Sequence, residues 1–167
     1  RASGQLNRRY EAYGDRVLFV YKHFPMNPTC NPGVNNPKHR FACAAAEAAV
    51  CAQEQGYFWR FHDIAYKNQH QLETADLLSY AEKAGADVDL FQACLRSGRA
   101  TPLVKADGQA GADIDVHGTP RIWVNGKLYR AGSSAEQIAR EIELALGASA
   151  ADAAKSVQGL RSDLPQI

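Results

Sequence analysis

The stretch Val116-His117-Gly118-Thr119-Pro120, continuing as Arg121-Ile122-Trp123-Val124-Asn125-Gly126-Lys127-Leu128-Tyr129, leaves the chain few choices. Asn125-Gly126 predicts a two-residue type I′ turn, because that turn needs positive φ at both central positions. Ile122, Trp123 and Val124 are β-branched or aromatic and predict a strand on one side of it. Pro120 has no N–H to give to a ladder, so it must stand at a strand's first residue or on an edge. The stretch therefore reads as loop, strand, tight turn, strand, with a proline at the entry.

The rest of the chain must supply what such a hairpin packs against. With 167 residues, it is long enough for one domain, or one domain with an insertion, around a proper core. A net charge of +1 gives no general electrostatic case for nucleic acid or a membrane surface. No apolar run approaches the roughly 18 residues of a membrane span.

In chain order, residues 1 to 13 predict the later part of a helix, with Leu6, Tyr10 and Tyr13 at helical spacing and Gly14 closing it. Arg16 to Phe24 is a continuous apolar, β-branched and aromatic run that predicts a buried strand. Lys22 and His23 stand at its exit, either as a solvated strand end or facing a site. Five breakers, Pro25, Pro28, Pro32, Gly33 and Pro37, make residues 25 to 38 a long loop that something should hold.

Helices are predicted over 39–55 and 57–68, the second with Phe58, Phe61, Ile64 and Ala65 as its apolar stripe. A third covers 75–84, capped by Thr74. A fourth is capped by Asp87, with Leu90, Phe91, Cys94 and Leu95 on one face. A weaker helix over 100–113 is diluted by Gly108 and Gly111. After the hairpin, Ser133 or Ser134 with Glu136 or Gln137 forms a capping-box pattern. The helix it starts carries Ile138, Ile142, Leu144 and Leu146 and ends at Gly147. Residues 148 to 167 read as a loosely attached helix or linker.

The four cysteines are Cys30, Cys43, Cys51 and Cys94, and none forms a Cys-x-x-Cys. An even number suits an oxidising compartment. Within a helix over 39–55, Cys43 and Cys51 stand about 12 Å apart, beyond the Cα reach of about 7 Å for a disulfide. That leaves Cys30–Cys43 with Cys51–Cys94, the preferred set, or Cys30–Cys51 with Cys43–Cys94. Four buried free thiols are the alternative. A metal set of Cys30, His39 and Cys43, with His23, matches no standard zinc spacing. His62 beside Asp63 suggests acid–base chemistry, but helical spacing puts His62 next to Phe58 and Phe61, which favours a satisfied packing histidine.

The order is helix, strand, about five helices, hairpin, helix. This arrangement, with several motifs, resembles the DsbA-like branch of the thioredoxin superfamily. The motifs are Phe24-Pro25 at the strand exit, the Cys-Ala-x-x-Gln-Gly-x-Phe-Trp-x-x-His-Asp run from Cys51 to Asp63, Ala93-Cys94-Leu95, and Ala110-Gly111 leading to Val116-x-Gly118-Thr119-Pro120. The resemblance covers residues 1 to roughly 146. It implies an α/β thioredoxin-like fold, with residues 1–24 and 114–146 as the thioredoxin part, 39–113 as an inserted helical domain, and 147–167 as a C-terminal helix or linker.

The resemblance also implies thiol–disulfide exchange, in which a thiolate at a helix N-terminus attacks a disulfide. Thr119 and Pro120, joined by a cis bond, would pair with a substrate peptide, with His117 and Arg121 beside them. Reduced or unfolded secreted proteins, and a membrane disulfide oxidase of DsbB or vitamin K epoxide reductase type, would be the partners, in the periplasm or another extracytoplasmic space. No cofactor or metal is implied. The family's first strand and Cys-x-x-Cys are absent from residues 1 to 167, and Arg1 would fall just beyond the second cysteine. A central gap in the sheet would leave ladder groups unpaired, so another segment or chain is expected to fill it. Two rival readings are a redox-silent thioredoxin fold that binds peptides and the glutathione-dependent transferase or isomerase branch. The Val-Asn-Gly-Lys hairpin favours the DsbA type over the latter.

Overall fold

A computed structural model describes residues 11–129 and 134–148. The chain divides into two units, residues 21–118 and residues 1–20 with 119–167. The proline-rich loop therefore belongs with the helices, and the first unit starts at Tyr21.

The first unit holds five helices: α1 (Ala42–Glu54), α2 (Phe58–Lys67), α3 (Thr74–Ala84), α4 (Val88–Ser97) and α5 (Ala100–Ala112). α1 is the hub and packs against the other four. Its buried residues are Ala46, Ala48, Ala49, Val50, Cys51 and Ala52, mostly small, so the neighbouring helices can come close. Phe61 of α2 and Phe91 of α4 fill the space between them, with ring centroids 5.8 Å apart. Each such fully buried aromatic contributes about 1.5–3 kcal/mol.

Cys51 of α1 is bonded to Cys94 of α4, and Cys30 in the proline-rich loop to Cys43 in the first turn of α1. Asn31 locks the same loop from inside. It is fully buried, donates from Nδ2 to the Pro25 carbonyl at 2.9 Å, and accepts the Gly33 N–H at 2.9 Å.

Several local expectations change. Glu73, not Thr74, caps α3, in a reciprocal box with Asp76. Asp87 caps α4 and accepts the Leu90 N–H at 2.9 Å, but the Leu90 side chain is exposed. One turn of helix cannot put both Leu90 and Phe91 on a single narrow stripe. α5 is regular despite its glycines, because they mark close approaches. A Cβ at Gly108 would stand 2.6 Å from Asn31 Oδ1, and one at Gly111 2.6 Å from Phe24 Cδ2.

The second unit holds β1 (Ile122–Val124), β2 (Lys127–Tyr129) and α6 (Ala135–Ala145). The antiparallel register pairs Ile122 with Tyr129 and Val124 with Lys127. Asn125 and Gly126 have φ of 47° and 82°, as a type I′ turn needs. α6 packs on β1 and starts in a capping box, with Ser134 and Gln137 exchanging bonds of 3.2 and 2.7 Å. Ala135, Ile138 and Ala139 are its buried residues, so the stripe runs one turn earlier than Ile138 to Leu146. Residues 1–10 of the predicted first helix, Ser133, and residues 149–167 lie outside the described residues. Glu11–Arg16 forms a 3-10 segment broken at Gly14, where φ is 53°.

The buried strand expected over Arg16–Phe24 is not formed. Side-chain burial still alternates residue by residue from Val17 to His23, the periodicity of a strand. Leu18 is 86% exposed and Val20 62%. A strand is defined by its ladder, and the ladder found among the described residues joins only Ile122–Val124 and Lys127–Tyr129.

Candidate functional site

Two features are candidates for a functional site. The first is the entry to the hairpin. The Thr119–Pro120 peptide bond is cis. Thr119, Pro120 and His117 are exposed, and Arg121 is half-buried. Pro120 stands two residues ahead of β1, where its missing N–H costs the ladder nothing. On the preceding side, the turn that follows α5 holds Asp115 in the left-handed region at φ 57°, and the Val116 N–H donates to the Gly111 carbonyl at 2.9 Å. Buried Val116 packs where Gly111 has no side chain.

The second feature is a cage of rings in the helical unit. Tyr21 lies 5.2 Å from His23, 5.4 Å from His62, 5.0 Å from Phe58 and 5.9 Å from Trp59, centroid to centroid. Phe58 meets both imidazoles as well, at 5.9 and 5.7 Å. His23 is therefore not a solvated strand end, because it is 7% exposed. Burial holds its pKa down at about 4, against the opposing pull of Asp107. Lys22 is exposed and bonds Asp107 Oδ1 at 2.7 Å, while Asp107 Oδ2 accepts the His23 backbone N–H at 3.0 Å. Burial raises the Tyr21 phenol, and neighbouring Tyr66 adds to that.

His62 is a packing histidine, but only one side of its ring is satisfied. Nδ1 lies 3.2 Å from Asp63 Oδ1, a carboxylate that can only accept, so the proton is assigned to Nδ1. Buried Nε2 has no partner among the described residues. Burial lowers the His62 pKa, and Asp63 works against that shift.

All four cysteines are in disulfides, so residues 1 to 167 hold no thiolate. The pairing also uses both sulfurs of the Cys30, His39, Cys43 metal set. The sequence does not single out Asp107 or Tyr21, which the fold brings to His23. A signal for Asp107 existed: it stands three residues after buried Val104 and one before buried Gly108, a charge beside an apolar stripe.

A tight hairpin entered by an exposed proline and packed on α6 in one unit, with five helices in the other, is consistent with a thioredoxin-like protein. The family model described as Thioredoxin matches residues 1–144, and the chain belongs to the thioredoxin superfamily, on its DsbA-like branch. Among curated proteins it is similar to Na(+)/H(+) antiporter NhaA 3 of Salinispora tropica, 34% identical over 126 residues, 75% of this chain and 18% of that protein. It is also similar to NhaA 1 of Mycolicibacterium gilvum, 30% identical over 149 residues, 88% of this chain and 23% of that protein. NhaA of Herminiimonas arsenicoxydans is 30% identical over 142 residues, 85% of this chain and 21% of that protein. The chain thus spans about a fifth of the length of these relatives. No solved structure gives a significant match.

Proposed function

We propose that the chain is the substrate-presenting part of a DsbA-like thiol–disulfide oxidoreductase that forms or exchanges disulfides in secreted proteins. The observation that carries this is the exposed Gly118-Thr119-Pro120 backbone at the mouth of the hairpin, in a chain of this family. There Thr119 and Pro120 pair with an extended substrate peptide, and His117 and Arg121 flank it. The attacking thiolate comes from a Cys-x-x-Cys upstream of Arg1. The strand before that motif would pair with the backbone from Val17 to Val20, where side-chain burial alternates with the period of a strand.

Two disulfides within one short chain support an oxidising, extracytoplasmic setting. The partners are reduced secreted proteins and a membrane disulfide oxidase of DsbB or vitamin K epoxide reductase type. The antiporter activity named for the relatives is not carried over: this chain matches about a fifth of them, and among the described residues no helix is long and apolar enough to cross a membrane.

One observation favours a second reading, a redox-silent peptide-binding module: no cysteine here is free. A peptide-oxidation assay on the chain, with and without its natural upstream sequence, separates the two. Activity only with the extension supports the oxidoreductase. Equal activity in both means that the cysteines are wrongly assigned. An extension without cysteines, inactive but folded and binding peptide, establishes the silent module.

A further inference from the structure

We propose that His23 and His62 form an acid-sensitive latch, which holds residues Tyr21 to Phe24 on the helical unit while both imidazoles are neutral and releases them when the pair is protonated. The two histidines come from different places, one on the segment that enters the unit and one on α2. They meet through the same two rings: Tyr21 and Phe58 each lie within 6 Å of both. His23 is 7% exposed and His62 4%. Trp59 and Tyr66 close the His62 side, at 5.6 and 4.5 Å.

The charged and titratable groups around the pair decide the direction. Around His62 these include Asp63, Tyr66, Tyr21 and His23. Around His23 they are Tyr21, Lys22, Asp107 and His62. Asp63 is the counter-ion for the first proton, since it already bonds Nδ1, and that proton lands on Nε2, which has no partner among the described residues. The second proton meets a harder site. The bonds of Asp107 go to the Lys22 ammonium and the His23 backbone N–H, Lys22 adds like charge, and a protonated His62 adds more. Ring faces attract cations, but for a desolvated imidazolium near a second one the burial penalty prevails.

Both groups are depressed below the ordinary histidine value, and His23 to about 4. The unfastened segment therefore binds more protons than the fastened one between those values and pH 6.5. The latch is set above about pH 6.5 and loses its hold progressively as pH falls from there toward the depressed values. What holds it mechanically is the Asp107 bond to the His23 N–H and the ring contacts of Tyr21 with α2. A charged His23 seeking water pulls on both.

The test uses Trp59 as reporter in the full chain carrying Trp123→Phe, since these are the two tryptophans. Emission and far-UV circular dichroism are followed from pH 7.5 to 3.5. The expected result is a red shift of Trp59 as pH falls below 6.5, with a steepness above one proton and with the helical signal kept. His23→Asn or His62→Asn should each reduce the steepness to one proton or less. A flat Trp59 signal, an unchanged steepness in both variants, or loss of the helical signal together with the shift overturns the latch. Where a variant does not fold, histidine ring NMR on the unmodified chain decides: both His23 and His62 must titrate below 6.5, and either one at or above that value overturns it.

Discussion

Gly108 faces Asn31 so closely that a Cβ there would lie 2.6 Å from the Asn31 Oδ1 and 3.3 Å from its Cα. Asn31 cannot retreat, because both ends of its amide are bonded and it is fully buried. Gly→Ala inside a helix ordinarily stabilises by up to about 1 kcal/mol. Here overpacking, typically about 1–3 kcal/mol, outweighs that gain. G108A is expected to lower the urea unfolding free energy by about 1–2 kcal/mol. A more stable variant would show that Asn31 is free to move.

The two disulfides should differ in weight. Cys51–Cys94 closes a loop with a sequence separation of 43, and Cys30–Cys43 one of 13. Chain-entropy reasoning assigns them about 4 and about 3 kcal/mol. Paired Cys→Ala variants, measured by denaturant midpoint under matched conditions, should rank in that order. The double variant at 51 and 94 also leaves vacant space inside the core, which widens the difference.

Asp107 should matter more than its salt bridge with Lys22. Lys22 is largely exposed, and exposed pairs contribute about 0–1 kcal/mol. The bond from the His23 N–H to Asp107 is part-buried, and losing it leaves a backbone donor unsatisfied, at about 1–3 kcal/mol. D107A is therefore expected to destabilise clearly more than K22A. Equal losses in thermal unfolding would mean that the ion pair, not the backbone bond, is what counts.

At the start of α4, Asp87 accepts the Leu90 N–H at 2.9 Å, and Gln55 holds its backbone with bonds of 2.8 and 3.1 Å. Asp87→Ala should cost about 1 kcal/mol, the usual value of a lost N-cap. Gln55→Ala should add to this less than its separate cost, because both act on one residue. A double-mutant cycle measures the coupling, and strict additivity would refute it.

What the sequence determined by itself was local. The Asn125-Gly126 turn, the Asp87 cap, the Ser134–Gln137 box and the positions of the five helices follow from a few neighbouring residues each, through φ preferences, orphan N–H groups and 3.6-residue periodicity. The helix spacing also excluded Cys43–Cys51. Whatever depends on a neighbour from elsewhere in the chain was settled by tertiary structure. The run from Arg16 to Phe24 has a strand's composition and a strand's alternation, yet forms no strand, since a ladder requires a second chain segment and the ladder found among the described residues joins only β1 and β2. Gly108 and Gly111 looked like weaknesses in a helix and are contact points, because Asn31 and Phe24 come from far away to meet them. His23, at the edge of a predicted strand, and His62, on the stripe of a helix, were two separate residues in the sequence. Only the packing of Tyr21 and Phe58 put both into one cage, where exclusion of water holds the imidazoles neutral.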